Sequence, residues 1–271
     1  MIQPLEPDLE KLKQSGQINT LVFVLDDTLR DIPLSVLYNQ GKYLIEDYAL
    51  AVIPNRQLFD PRPRQEQINV LMAGVSEAQT VDGQEFAALP YISSELADIQ
   101  QLTDTTTKPL LNQTFTEERL EQQIDSAAFP IVHIATHGEF NSDPNKTYIL
   151  VWGQRVKVRS FDRLLQVNNP DSSQAIELLI LSACETAQGD RRAALGLAGV
   201  AAQAQVRTTL ASLWKVNDLA TAEFMTKFYE NLSSGITVAQ ALQQTQLYFL
   251  NDPDLRRPYF WSPFVIVGNW L

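Results

Sequence analysis

Two side chains in this sequence could do acyl-transfer chemistry together: the single cysteine, Cys184, and one of only two histidines, His137. A thiol is only partly ionised at neutral pH, and a neighbouring imidazole can take its proton and later return it to a leaving amine. Cys184 follows the apolar run IELLILSA (176–183), and His137 follows IVHIAT (131–136) in the same manner. Each therefore falls at or just past the carboxyl end of an expected strand. In open α/β sheets reactive groups gather outside those ends, so two such strands as neighbours would bring thiol and imidazole together. Gly138 follows the histidine; a residue without a side chain lets a substrate carbonyl approach the backbone, and the N–H groups of Gly138 and Cys184 are the expected oxyanion donors. The alternative for a lone cysteine at a strand end is packing, since free cysteine is among the most buried residue types. His133, which alternates within the apolar run, reads as a packed histidine with one nitrogen hydrogen-bonded rather than as a catalytic group.

The elements that must position these groups follow from periodicity. Short β-branched runs alternate with longer amphipathic stretches, the pattern of strands and helices wound around a largely parallel sheet, so the expected class is α/β. Strands are predicted over 18–25, 48–53, 68–73, 130–136, 148–152, 156–158, 177–182, 208–213 and 264–267. Helices are predicted over 89–102, 116–124, 195–204, 218–232 and 237–250, with Asn217 capping the fourth and Gly235 and Thr237 preceding the fifth. Prolines around 60–63 and the polar stretch 103–108 interrupt the periodicity, and the second is the better boundary between two halves.

Composition narrows the function. With 21 basic and 32 acidic residues, the chain carries a net charge of −11, a field that repels nucleic acid and anionic membranes and favours cationic partners. One cysteine excludes an internal disulfide, and two histidines supply poorly any zinc site of ordinary Cys/His composition, so no metal is expected. No apolar run reaches the roughly 18 residues of a membrane span, and the opening residues are polar and acidic, which makes a cytoplasmic location the expectation. No glycine-rich phosphate loop is present and dyad hydrolysis needs none, so no cofactor is expected.

The strings HIATHGEF (133–140) and LSACETAQG (181–189) closely resemble the histidine and cysteine motifs of CHAT domains, relatives of caspases and separases. The resemblance extends through DIPLSVLY (31–38), GKYLIEDYALAVIP (41–54), LASLWKVNDLATAEFMTKFY (210–229) and YFWSPFVIVG (259–268). It implies a caspase-hemoglobinase-like fold in which an N-terminal linker-like segment (1–17) precedes an inactive, sheet-completing half (18–106) and a catalytic half (107–271). It also implies His137 as base and Cys184 as nucleophile of a cysteine endopeptidase acting on protein or peptide substrates in a regulated signalling or defence pathway. A departure stands at Ala204-Gln205, where the family often has a small Ala-Gly pair; it bears on loop shape and not on the dyad.

LWKVND (213–218) is similar to a separase stretch whose final aspartate receives a basic side chain, which makes Asp218 the candidate for holding Arg or Lys before the scissile bond. Read from its residues alone, Asp218 equally fits the first turn of a helix, where a carboxylate is favoured with no ligand at all. Asp26 and Asp27 rank below it, as a solvated turn pair. Trp152, Trp214, Trp261 and Trp270 read as packing, with Trp214 also a candidate wall of the specificity pocket. If basic preference holds, Arg191-Arg192 in GDRRAALG (189–196) is a candidate self-cleavage site. CHAT domains commonly sit behind tetratricopeptide or other helical repeats, and EPDLEKLKQSG (6–16) looks like the remnant of a linker helix. A repeat or sensor domain in cis, or a regulatory protein in trans, is therefore an expected partner, and the chain is either a fragment or a stand-alone relative. The competing readings are a catalytically silent interaction module of the same shape and a non-proteolytic thiol transferase.

Overall fold

The computed structural model describes residues 3–25, 29, 32–53, 61–64, 67–126, 129–140, 143, 145–157, 160, 164–165, 176–182, 184–186 and 206–271, with the backbone alone at 3, 140 and 184–186. Asp26, Asp27, Arg191, Arg192 and the helix expected over 195–204 lie outside the described residues.

Eight strands form the central sheet: β1 (Thr20–Phe23), β4 (Ala49–Val52), β5 (Val70–Gly74), β8 (Leu110–Leu111), β9 (Ile131–Ala135), β13 (Leu178–Leu181), β15 (Thr208–Ser212) and β16 (Phe264–Gly268). Their order across the sheet is β1-β4-β16-β15-β13-β9-β5-β8. Neighbours are parallel except at β15 and β16, where the direction reverses. The last of these strands in sequence thus sits inside the sheet, third from one edge, and strands from before and after position 106 share it.

The inner strands β5, β9, β13 and β15 are buried along their whole length. This explains their near-continuous apolar runs, because a parallel strand covered on both faces has no solvent side to make polar. Alternation still sorts the residues between two cores. Ile131, Ala135, Leu178, Ile180, Val70 and Met72 face one layer, whereas Val132, Ile134, Leu179, Leu181, Leu71 and Ala73 face the other. The first layer is built by helices α2 (Ile92–Leu102), α4 (Asp218–Ser233) and α5 (Val238–Asn251). The second holds α3 (Glu117–Ser126) and a small sheet described below. Further described elements are the helices α1 (Glu6–Gln14) and the short α6 (Pro258–Trp261), and a hairpin of β2 (Tyr38–Asn39) with β3 (Lys42–Tyr43).

The sequence predicts the starts of α4 and α5 well. The Asn217 side chain accepts from the Ala220 amide, and Thr237 forms a reciprocal capping box with Gln240. The N-terminal stretch read as a linker-helix remnant forms α1, which buries none of its residues. Among the described residues no helix is long and apolar enough to cross a membrane.

Candidate active site

β9 and β13 run side by side in parallel, Ile131 opposite Leu178 through Ile134 opposite Leu181, and the Ser182 amide extends the ladder by donating to the Ile134 carbonyl at 3.1 Å. Both chains then enter a second sheet of four short strands, in the order β12-β11-β10-β14: β10 (Gly138–Phe140), β11 (Tyr148–Val151), β12 (Gln154–Lys157) and β14 (Cys184–Thr186). There Gly138 is the direct partner of Cys184. The numbering offset between partners falls from 47 (181 − 134) to 46 (184 − 138), so three residues, 135–137, span what two, 182–183, span on the neighbour. An extra residue of this kind bends the strand and re-aims its side chains, and His137 lies in that bend. Its carbonyl accepts from the Leu150 amide at 2.8 Å, and the buried Thr136 hydroxyl donates to the Leu150 carbonyl, also at 2.8 Å. The histidine backbone is therefore pinned to β11 on one side while its neighbour Gly138 pairs with the cysteine on the other. Cys184 opens a short strand of its own instead of sitting in a loop past a strand end.

The His137 ring is oriented by a segment that the sequence reading passed over. Its Nε2 lies 2.8 Å from the Ala87 carbonyl. A carbonyl can only accept, so Nε2 carries the proton and, in the neutral ring, Nδ1 carries the lone pair. The Phe86 ring packs beside the imidazole at 5.5 Å between centroids. Both residues follow from a hairpin, β6 (Gln79–Val81) and β7 (Gln84–Phe86), that turns at Asp82 and Gly83 with φ of 52° and 77°. Positive φ at both turn positions is the requirement of a type I′ hairpin, and Asp-Gly between two short extended runs is the signal that would have found it. The hairpin is held by Phe86 packing with Val81 and Leu150, and by the Arg155 guanidinium, which lies over the rings of Phe86 and Tyr148 and within 3.5 Å of Asp82.

Asp218 begins α4, as a helix-start carboxylate should, and it also reaches across to another element. Its Oδ2 accepts from the Tyr91 amide at 2.9 Å, just before α2. Burial pushes its acidity down, so its pKa lies above the usual carboxylate range; the Tyr91 amide and the charge of His137 oppose this, and the charge of Glu95 adds to it. Asp218 is thus an electrostatic neighbour of His137. Trp214 is half-buried against the first core layer, with its indole N–H donated to the Tyr259 carbonyl at 3.2 Å. Trp261 is fully buried, and Trp152 and Trp270 pack against the two cores, in keeping with their expected packing role. His133 is buried within the sheet as expected, but both of its ring nitrogens have partners, Glu95 and Tyr229. Among the described residues no three His, Cys, Asp or Glu side chains gather as a metal-ligand set.

Comparison with known proteins bears on the family and the fold. The family model described as the CHAT domain matches residues 1–269. The chain is 23% identical over 322 residues to tetratricopeptide repeat protein 28 of Mus musculus, covering 99% of this chain but only 13% of that protein. Among solved structures it is similar to the separase of the Saccharomyces cerevisiae separase-securin complex (TM-score 0.56, 14% identity, 92% of this chain and 15% of that one). It is also similar to the Arg-specific cysteine proteinase gingipain R, RgpB of Porphyromonas gingivalis (TM-score 0.58, 10% identity, 96% of this chain and 65% of that one). At these identities the structural likeness establishes the fold, a caspase-hemoglobinase-like sheet flanked by helices. With a family match over nearly its whole length and that fold, the chain belongs to the CHAT domain family.

Proposed function

We propose that this chain is a cysteine endopeptidase in which His137 and Cys184 form the catalytic dyad and Asp218 favours a basic residue before the scissile bond. The observation that carries the reading is the pairing of Gly138 with Cys184, which brings the histidine loop and the cysteine side by side on adjacent strands about 4.8 Å apart. In the proposed cycle Nδ1 of His137 takes the thiol proton and the thiolate sulfur attacks the peptide carbonyl carbon. The N–H groups of Gly138 and Cys184 receive the oxyanion. Collapse of the tetrahedral intermediate breaks the C–N bond as His137 returns its proton to the departing amine, leaving a thioester. Water then attacks the thioester with His137 as base, releasing the acid and the thiol. The bond from Nε2 to Ala87 supports this assignment of roles, because it fixes which nitrogen is basic and would be strengthened when the ring becomes cationic.

The basic preference rests on the partly buried carboxylate of Asp218, which feels the charge of His137; Trp214, four positions earlier, is assigned to the wall of the pocket that would take the basic side chain. That the similar gingipain is an Arg-specific proteinase agrees with it. The division at residue 106 into a supporting and a catalytic half, a cytoplasmic location, and control by a tetratricopeptide-type domain or a regulatory protein in a signalling or defence pathway belong to the same proposal; the curated relative's name supports the repeat association. A silent interaction module is the reading that competes.

The test is labelling by acyloxymethyl ketones bearing Arg, Lys, Asp or Leu, with adducts read by intact mass. The expected result is an adduct on Cys184 from the Arg and Lys probes, absent in Cys184→Ala and in His137→Ala. Silence from every probe, with iodoacetamide still alkylating the thiol, would favour the interaction module.

A further inference from the structure

Beneath the site, three polar side chains are buried where apolar residues would normally stand. Glu95 on α2, His133 on β9 and Tyr229 on α4 are at most 1% exposed. His133 Nε2 lies 2.8 Å from a Glu95 carboxylate oxygen, and Nδ1 lies 3.3 Å from the Tyr229 hydroxyl. Burial and the charge of Glu95 hold Tyr229 far above the ordinary phenol range, opposed by Arg64, so Tyr229 keeps its proton and can donate it to Nδ1. Nε2–H then faces the Glu95 carboxylate, and each nitrogen has a partner of the right kind with a single charge buried. Replacing such a buried polar set by apolar side chains of the same shape is often neutral or stabilising, so stability alone does not account for its presence.

The bonds close into a circuit. The Tyr91 amide donates to Asp218 and the Tyr91 carbonyl accepts from the Glu95 amide at 2.9 Å. Glu95 reaches His133, His133 reaches Tyr229, and Tyr229 returns to Asp218 along α4, eleven residues or about 16 Å up the helix (229 − 218). The circuit fastens the helix that carries Asp218 to the strand that leads, four residues on, to His137. It does so through α2, directly after the segment whose Ala87 carbonyl holds the His137 ring. Among the described residues, further charged groups near this circuit include Arg64, whose guanidinium acts on Tyr229, Glu177, which acts on Arg64, and His137, which acts on Asp218.

We propose that Glu95, His133 and Tyr229 are positioning residues: a buried hydrogen-bonded strut that sets His137 and Asp218 relative to each other and to Cys184. The proposal rests on the dyad reading above. Its test uses the fact that the chain has one thiol, so the rate of iodoacetamide alkylation against pH reports on Cys184 alone, whether or not a peptide is turned over. The wild-type profile should show an inflection that His137→Ala removes. Tyr229→Phe and Glu95→Gln, which alter single bonds while keeping side-chain shape, should move the profile toward that of His137→Ala and lower the rate at pH 7 about fivefold, the scale of one lost hydrogen bond. Thr237→Ala, which weakens the α5 cap without removing any bond of this circuit, should leave the profile unchanged. If Tyr229→Phe and Glu95→Gln, still folded by circular dichroism, superimpose on wild type, the strut has no positioning role. If wild type and His137→Ala share one profile, the dyad itself is refuted and the strut's role falls with it; the His137 control tells the two failures apart.

Discussion

At the scale of single residues, Asp218 carries opposed demands that make it testable by stability as well as by activity. Its pKa is raised in the folded chain, mainly by burial. A carboxyl that holds its proton more tightly when folded stabilises the fold below its unfolded pKa of about 3.9, and that contribution is lost as pH rises through the higher folded value. Asp218→Asn keeps an oxygen for the Tyr91 amide without the charge. Thermal melts should therefore show the Asn variant gaining on wild type as pH rises from 3 to 7, with little difference at pH 3. The same substitution should lower kcat/KM for an Arg peptide roughly 10- to 100-fold, the worth of one hydrogen bond to a charged group, and leave a Leu peptide little changed. A variant that loses stability at pH 7 would mean that the carboxylate is held for the fold. His133 teaches the same lesson in reverse. Its place in an apolar run makes burial legible from sequence, but its second partner is Tyr229, 96 positions away, and no local pattern announces that bond.

At the scale of elements, the two capped helices offer a matched pair. Asn217→Ala and Thr237→Ala each remove a side-chain acceptor from a helix N-terminus and should each cost about 1 kcal/mol in urea melts. Only the first cap adjoins Asp218, so only Asn217→Ala should also reduce turnover of basic peptides; equal losses of turnover in both would point to a general effect of stability. Caps and long strands were legible because their signals are local and repeated: Asn217 and Thr237 precede periodic runs, and the strands over 131–135 and 178–181 are buried throughout and, save for His133, apolar. The short strands β10 and β14 were not, because three residues give no period to read. Nor was the role of Ala87, which acts through a backbone carbonyl that every residue type possesses. The motif strings drew attention to His137 and Cys184, whereas the bend that leads from Ile134 to Gly138 appears only when two strands are laid side by side and their offsets compared.

At the scale of the molecule, the place of β16 governs how the fold can be assembled. Val267 pairs with Val52, 215 positions earlier (267 − 52), and the same strand pairs along β15 from Phe264 to Gly268. Gly268 lets the junction close: a Cβ there would stand 2.2 Å from the Arg207 carbonyl, at a φ of 120° that other residues rarely adopt. On a ribosome, β1 and β4 emerge first yet have no seat in the sheet until β16 has been made and has docked on β15. Long-range pairings of this kind are slow to form. Pulse-labelled hydrogen exchange during refolding should find the amides of β9 and β13 protected before those of β4; protection of β4 first would exclude this order. Strands made early are thus the last to be enclosed, and a nascent chain must keep the apolar residues Ala49 and Ala51 from other partners until β16, some 215 positions later (267 − 52), has been made.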